Sequence, residues 1–342
     1  MTLVNGRFLV GRPTGLHRVA RGLVVAARQR GLELEVVAPP GANDALVDRT
    51  VWGPSGRLGR HLWEQVALPK IAGNRPILSL INTAPLLARR SVVMIHDLAT
   101  SEGPQWFQPS MRLYRYLVST AARRAEMVLT VSESVAGELR TAGVGGRPVE
   151  VIRPAIDPSF TPSARSDIDA VLVRHGIAEP FVLHLGWASP RKGAAFLARA
   201  HLRARATRPH QLVLVGAPHR TFKTVDLPDA PSIRVLLDVD DSDLRALMSA
   251  TSLFAFPSLY EGFGLPPLEA MACGAPVAVS DIPPLRESTD GTAGRYLDPT
   301  DEAAWTEAIV AALCGDLAPS SPPSWTWSDA ADQLAGALER LG

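Results

Sequence analysis

Two glutamates eight positions apart carry the most legible chemistry in this chain of 342 residues. They stand in the segment Phe256-Pro-Ser-Leu-Tyr-Glu261-Gly-Phe-Gly-Leu-Pro-Pro-Leu-Glu269-Ala-Met-Ala-Cys-Gly274. The apolar run Leu253 to Phe256 reads as a buried parallel strand. Pro266 and Pro267 suit the first turn of a following helix, and Gly274 suits the position just past its end. In the turn between, Gly262, Phe263, Gly264 and Leu265 form a ligand-binding stretch, where the glycines let backbone amides approach an anion. Glu261 is expected on the loop and Glu269 on the first helical turn, both able to accept hydrogen bonds from sugar hydroxyls. A glutamate in a first turn also favours the helix dipole without any ligand, which would account for Glu269 but not for Glu261 or the paired glycines. An anion-binding turn flanked by carboxylates, at the carboxyl end of a strand, suits a nucleotide diphosphate sugar.

A second turn supplies the cations. Phe181-Val-Leu-His-Leu-Gly186 reads as a strand ending in glycine, and Trp187-Ala-Ser-Pro-Arg191-Lys192-Gly193 leads from it into a helix. Arg191 and Lys192 there would neutralise a diphosphate and stabilise the charge it gains on leaving; the plainer alternative is two solvated loop residues. His96 and Asp97 follow the apolar run Val92–Ile95. A histidine in that place could donate a hydrogen bond to a sugar or manage a proton, although a lone histidine at a strand end is often structural. Gly11, Thr14 and Gly15 mark the first strand-to-helix turn, with Gly15 best suited to approach a diphosphate. No Gly-x-Gly-x-x-Gly occurs there, which disfavours a dinucleotide cofactor. Asp238-Val-Asp240 has the look of a metal motif, but Asp240 or Asp241 precedes the helical pattern Leu244–Met248, where aspartates act as helix caps and first-turn charges. Cysteines and histidines lack metal-ligand spacing, so neither a metal nor a cofactor is expected. His17, His61, His175, His184, His201, His210 and His219 read as structural.

The elements that must position these groups alternate strand and helix, which argues for parallel α/β sheets. Strands are expected near Leu34–Ala38, Ile77–Leu80, Val92–Ile95, Met127–Val131 and Val149–Ile152, then near Phe181–Leu185, Gln211–Val215, Ile233–Leu236, Leu253–Phe256 and Val277–Val279. Leu16, Val19, Leu23 and Ala26 share one helix face, closed by Gly31, and Ser132 suits a helix cap. The proline-rich stretch Arg153–Pro162 separates the two sets. Residues 1–155 form a first domain, 156–324 a donor-binding domain, and 325–342 a last helix.

These segments resemble the retaining glycosyltransferases of family 4, whose signature is the Glu-x7-Glu spacing of Glu261 and Glu269. Asn5-Gly-Arg-Phe-Leu-Val10, Thr14-Gly-Leu-His-Arg18, Leu62-Trp-Glu-Gln65 with Leu68-Pro69, Ile95-His-Asp-Leu98, Val131-Ser-Glu-Ser134, Pro190-Arg-Lys-Gly193 and Trp325-Thr-Trp-Ser328 are similar to mannosyltransferase-like members that build bacterial polysaccharides. The resemblance implies the GT-B fold, α/β with two Rossmann-like domains facing across a cleft and a last helix returning to the first. It implies that Arg191 and Lys192 hold the donor diphosphate, Glu261 the donor sugar and Glu269 the ribose, with His96 touching the sugar. It also implies a front-face reaction in which the diphosphate accepts the proton of the acceptor hydroxyl. Many members carry an arginine where this chain has Trp187, which shifts phosphate binding toward Arg191. GDP-mannose is the most frequent donor of such members, with deoxyhexose donors such as GDP-fucose or dTDP-rhamnose also open, and the acceptor is a glycan or lipid-linked glycan. A nucleotide-sugar epimerase and a non-catalytic nucleotide-sugar-binding subunit are the competing readings; the two turns argue against the first and the intact site residues against the second.

Composition bounds the rest. With 46% hydrophobic and 20% charged residues the chain is an ordinary globular protein. Cys273 and Cys314 suit a reducing cytoplasm rather than a disulfide framework. Arg7 and Arg12 interrupt the first apolar residues, so no signal peptide is read, and no apolar run approaches the ~18 residues that span a bilayer. The net charge of +1 conceals a basic half, +9 over residues 1–155, and an acidic half, −8 over 156–342. Arg57, Arg60, Arg89, Arg90, Arg112, Arg115, Arg123 and Arg124, interleaved with Trp52, Trp63, Trp106, Phe107, Tyr114 and Tyr116, suit peripheral docking on an anionic membrane surface as well as they suit a solvated face. No nucleic-acid module is visible, so nucleic acid is not an expected partner.

Overall fold

The computed structural model describes every residue except 12, 13, 55, 145, 219 and 342, together with the side chain of Arg57. Arg12, His219 and the Arg57 side chain, each considered above, therefore lie outside the described residues. The chain divides into two compact units. Unit 1 comprises Met1–Leu98, Arg112–Ala155 and 325–342, and unit 2 comprises Ala99–Met111 and Ile156–Ser324.

Unit 1 is built on β1 (Thr2–Asn5), β2 (Leu34–Ala38), β3 (Arg49–Thr50), β4 (Ile77–Ser79), β5 (Ser91–Ile95), β6 (Met127–Thr130) and β7 (Val149–Val151). They form one parallel sheet in the order β3-β2-β1-β4-β5-β6-β7, with Val4 paired to Val36 and Leu78 to Val92. Unit 2 holds β8 (Phe181–Leu185), β9 (Gln211–Val215), β10 (Ile233–Leu236), β11 (Leu253–Phe256), β12 (Val277–Ser280) and β13 (Arg295–Leu297). Their order is β10-β9-β8-β11-β12-β13, again parallel. Central strands covered by helices on both faces read as continuous apolar runs, and β5, β6, β8 and β11 are buried along nearly their whole length. Three strands escaped the sequence reading. β1 is four residues long, while β3 and β13 are short edge strands with exposed or half-buried residues and no apolar run to betray them.

The last helix, Trp327–Glu339, belongs to unit 1 and packs on the helix Gly15–Gln29. Gly22 makes that packing feasible: a Cβ added there would lie 2.6 Å from the Trp327 ring. Thr326 and Asp329 cap the helix reciprocally, and Arg30 pairs with Asp332 across the seam. Ser132 caps its helix by accepting the Val135 N–H at 3.2 Å.

Segment Ala99–Met111 leaves unit 1 between β5 and the helix Met111–Arg124 and joins unit 2. Gln108 N–H donates to the Thr221 carbonyl at 2.9 Å, Lys223 N–H donates to the Trp106 carbonyl at 3.0 Å, and the Phe107 and Phe222 rings lie 5.4 Å apart. The simple division at residue 155 does not contain this excursion, which carries no proline-rich boundary of its own.

Candidate functional site

Within unit 2 the chain winds from β8 outward to β10, then returns to β11 on the other side of β8. The β8/β11 boundary is therefore the topological switch point, where such sheets open a crevice beyond the strand ends. Arg191 and Lys192 leave β8 on a single 3-10 turn, Pro190–Lys192, and Glu261 leaves β11 on the facing loop. Lys192 Nζ donates to Glu261 Oε1 at 2.5 Å, and Arg191 Nη1 to Glu261 Oε2 at 3.3 Å and to the Tyr260 carbonyl at 2.7 Å. Leu259 N–H donates back to the Arg191 carbonyl at 2.7 Å. Lys192 Nζ also sits 4.4 Å from the centroid of the Phe256 ring. The loops meet so closely that a Cβ on Gly193 (φ +75°) would fall 2.3 Å from the Pro257 carbonyl oxygen.

Glu261 is buried. Burial pushes its carboxyl up, but the Lys192 and Arg191 charges outweigh that and hold it below the usual carboxylate range. Glu261 sits on the loop, as the sequence suggests, and there it is the anion that ties the β11 loop to the cationic β8 loop.

Glu269 departs from expectation in position. Gly264 is the N-cap, at φ +98°, and the helix runs Leu265–Ala272, so Glu269 lies in the second turn, buried, rather than in the first. The dipole decays within the first turn and does not account for a carboxylate there. Gly264 also has a reason unrelated to a ligand, since a Cβ would lie 2.4 Å from Leu285 Cδ2. Phe263 is buried, and Pro266 and Pro267 occupy the first turn.

In unit 1, His96 follows β5 and is buried. Its Nε2 lies 2.8 Å from the Leu80 carbonyl and its backbone N–H donates to Asn82 Oδ1 at 2.7 Å. Burial lowers its pKa, so the ring is neutral with the proton on Nε2, and Nδ1 is left as an acceptor rather than the donor expected. Gly15 is the first residue of its helix, and an added Cβ would meet nothing within 4 Å, so packing in unit 1 does not demand a glycine there.

Asp240 accepts the Asp243 N–H at 2.8 Å and the Ser242 hydroxyl at 2.7 Å as the N-cap of helix Asp241–Ala250. Trp187 donates from Nε1 to the Gly216 carbonyl at 2.6 Å, using its ring to hold the β8 and β9 loops together. The sequence reading missed a polar cluster around Arg7 and Glu64. Both stood in quoted motifs, but neither motif carries a spacing that signals a specific chemistry.

Two Rossmann-like units, each on a parallel sheet, define a protein of the GT-B fold class. The family profile described as glycosyl transferases group 1 matches residues 179–314, and the one described as Glycosyltransferase Family 4 matches residues 13–160. The chain belongs to the family 4, group 1 glycosyltransferases. It is 28% identical over 248 residues to the O-antigen chain mannosyltransferase RfbU of Salmonella typhimurium, covering 71% of this chain and 66% of that protein. It is 30% identical over 244 residues to the O-antigen chain mannosyltransferase B of Escherichia coli, covering 68% and 63%. The match thus spans just under two thirds of each relative. Anabaena HepE, solved in complex with UDP and glucose, shares the fold with a TM-score of 0.69 at 20% identity, over 99% of this chain and 95% of that one.

Proposed function

We propose that the protein is a retaining, metal-independent glycosyltransferase that moves a hexose, mannose from GDP-mannose, onto a hydroxyl of a glycan or lipid-linked glycan in cell-surface polysaccharide synthesis. The observation that carries this reading is the Lys192–Glu261–Arg191 cluster at the β8/β11 switch point. The names of the two mannosyltransferases and the UDP and glucose bound to HepE support it.

The chemistry follows from the charges. Breaking the bond between the anomeric carbon and the diphosphate gathers negative charge on the leaving group. Two cations beside the amino-terminal end of the helix Leu265–Ala272 stabilise that charge. A diphosphate entering between the loops takes Lys192 and Arg191 from Glu261, whose carboxylate then accepts hydrogen bonds from the donor sugar. Glu269 accepts them from the ribose. The diphosphate receives the proton of the acceptor hydroxyl, so no protein nucleophile is needed, and transfer on the face the diphosphate leaves retains the anomeric configuration.

The acceptor side is assigned to unit 1, at the cytoplasmic face of an anionic membrane. Among the described residues no helix is long and apolar enough to cross a membrane. Trp52, Leu58, Leu62 and Val66 are nevertheless exposed on unit 1, the last three at every fourth position, and Arg112, Arg123 and Arg124 are exposed on the helix Met111–Arg124. Apolar and basic groups on one unit support peripheral docking.

A panel of nucleotide sugars scored by thermal shift, followed by transfer to p-nitrophenyl α-D-mannopyranoside with and without a chelator, tests the reading. GDP-mannose should stabilise most, NMR of the product should show the α linkage, and the chelator should change nothing. An inverted linkage, a chelator-sensitive rate or conversion of the nucleotide sugar without acceptor would overturn the corresponding part.

A further inference from the structure

Unit 1 has a switch point of its own. Its sheet places β1 beside β4 although β2 and β3 intervene in the chain, and a ligand crevice is expected beyond the carboxyl ends of those two strands. Polar side chains converge there. Asn5, the last residue of β1, donates from Nδ2 to Glu64 Oε1 at 2.8 Å and to Ser79 Oγ, at the end of β4, at 3.2 Å. Arg7 donates from Nη1 to Glu64 Oε2 at 2.5 Å and to Thr83 Oγ1 at 3.1 Å, and its Nη2 lies 3.2 Å from His61 Nε2. Thr83 Oγ1 donates to Glu64 Oε1 at 3.1 Å.

Burial divides the roles. The Glu64 side chain has no exposed surface, whereas that of Arg7 keeps 15%. The carboxylate is the anchor and the guanidinium the end that reaches solvent. A buried ion pair of this kind contributes little net stability, because desolvating both charges offsets their attraction. The backbone around it is also unusual. Glu64 lies in the π-helical turn Trp63–Ala67, a geometry frequent at functional sites, and buried Asn82, in the loop after β4, holds φ +59°.

Charge balance distinguishes this crevice from that of unit 2. There two cations face one carboxylate, Glu261, which leaves a positive excess suited to a diphosphate. Here one guanidinium faces one carboxylate, and His61 can accept from Arg7 only as a neutral imidazole. Such a cluster suits uncharged hydroxyls, which need donors and acceptors without net charge; a phosphate would be opposed by Glu64. We infer that Arg7, held in place by the positioning residue Glu64, binds hydroxyls of the acceptor glycan at the β1/β4 switch point. The inference rests on the transferase reading for its ligand.

The test is saturation-transfer NMR on the full chain with methyl α-D-mannopyranoside and p-nitrophenyl α-D-mannopyranoside, with calorimetry of GDP on the same samples. Arg7→Gln should weaken both sugars about tenfold, the worth of one hydrogen bond to a charged group, while GDP affinity holds. Glu64→Gln, of the same shape, should weaken them in the same direction. A merely structural role would lower the melting temperature and leave sugar affinity unchanged in the folded protein. Arg7→Lys, which keeps the charge and loses the fork, should preserve the fold and recover part of the affinity. Displacement of the sugar by inorganic phosphate would overturn the hydroxyl assignment. If GDP binds and neither sugar does at the solubility limit, or Arg7→Gln binds both like wild type, the inference fails and the transferase reading stands. If no nucleotide binds, the transferase reading fails first and takes this inference with it.

Discussion

Lys192 Nζ and Glu261 Oε1, of residues 69 positions apart in the chain, meet at 2.5 Å and join the loops that leave two adjacent strands. The cation expected to hold a diphosphate and the carboxylate expected to hold a sugar are thus partners of each other. A ligand with both parts has to exchange that contact for its own. Glu261 is therefore a mechanical residue as well as the carboxylate proposed to hold the sugar, and the consequences for its removal differ with and without ligand.

Glu261→Ala should abolish transfer. It should also lower the melting temperature of the ligand-free protein, because breaking a buried pair from one side costs about 3–5 kcal/mol. GDP should restore more stability to the variant than it adds to the wild type, since its diphosphate supplies the missing negative charge. Thermal scans with and without GDP, alongside a turnover assay, check both halves. Near-wild-type turnover would remove Glu261 from the site.

Arg191→Ala and Lys192→Ala should each weaken GDP and GDP-mannose together, by about 1.5–3 kcal/mol for a lost charge-assisted contact. Arg191→Ala should also loosen the loop, as Arg191 Nη1 holds the Tyr260 carbonyl at 2.7 Å. Calorimetry with GDP is the measurement, and unchanged affinity in both variants refutes the diphosphate assignment.

His184 gives unit 2 a dependence on acid. It is wholly buried in β8, with Nδ1 2.9 Å from the Ala255 carbonyl, and burial pushes its pKa down to about 4 from the ordinary 6.5. The unfolded chain therefore takes up its proton well before the folded one. That difference leaves stability intact above pH 6.5 and removes it progressively as pH falls toward 4. His201, held down to about 3 chiefly by burial, acts in the same direction. Urea midpoints between pH 7 and pH 4 should fall steeply in the wild type and less in His184→Asn, which keeps a donor for the Ala255 carbonyl. Parallel curves for the two proteins would refute the assignment to His184.

What could be read in the sequence was local. Buried strands such as Phe181–Leu185 and Leu253–Phe256 announce themselves as apolar runs, and Ser132, Asp240 and Gly274 as helix punctuation. The cations and carboxylates were legible as residues, but their pairing was not, because Lys192 and Glu261 meet only once β8 and β11 lie side by side. Arg7 and Glu64, 57 positions apart, are hidden for the same reason. Glu269 lies one turn further along than the sequence suggests because the left-handed Gly264 caps a helix that already begins at Leu265, ahead of the two prolines, a conformation that sequence suggests without locating. Trp187, which stood out as a missing arginine, is accounted for by its bond to the Gly216 carbonyl.

Membrane docking makes the last prediction, and here the apolar and basic groups of unit 1 separate cleanly. Leu58, Leu62 and Val66 are exposed by 74%, 50% and 50%, enough apolar surface to gain from entering a lipid interface. Arginines on the helix Met111–Arg124 contribute a longer-range attraction to anionic lipid, which decays within a Debye length of ~8 Å at physiological salt. The two contributions respond differently to ionic strength. Replacing Arg112, Arg115, Arg123 and Arg124 with glutamine should reduce co-sedimentation with anionic vesicles at low salt and flatten its salt dependence. Replacing Leu58, Leu62 and Val66 with serine should weaken binding at low and high salt alike and leave its slope with salt unchanged. If the serine variant instead turns a sedimenting dimer into a monomer, the stripe is a self-association surface. If the wild type fails to bind anionic vesicles even at low salt, the acceptor is a soluble glycan rather than a lipid-linked one.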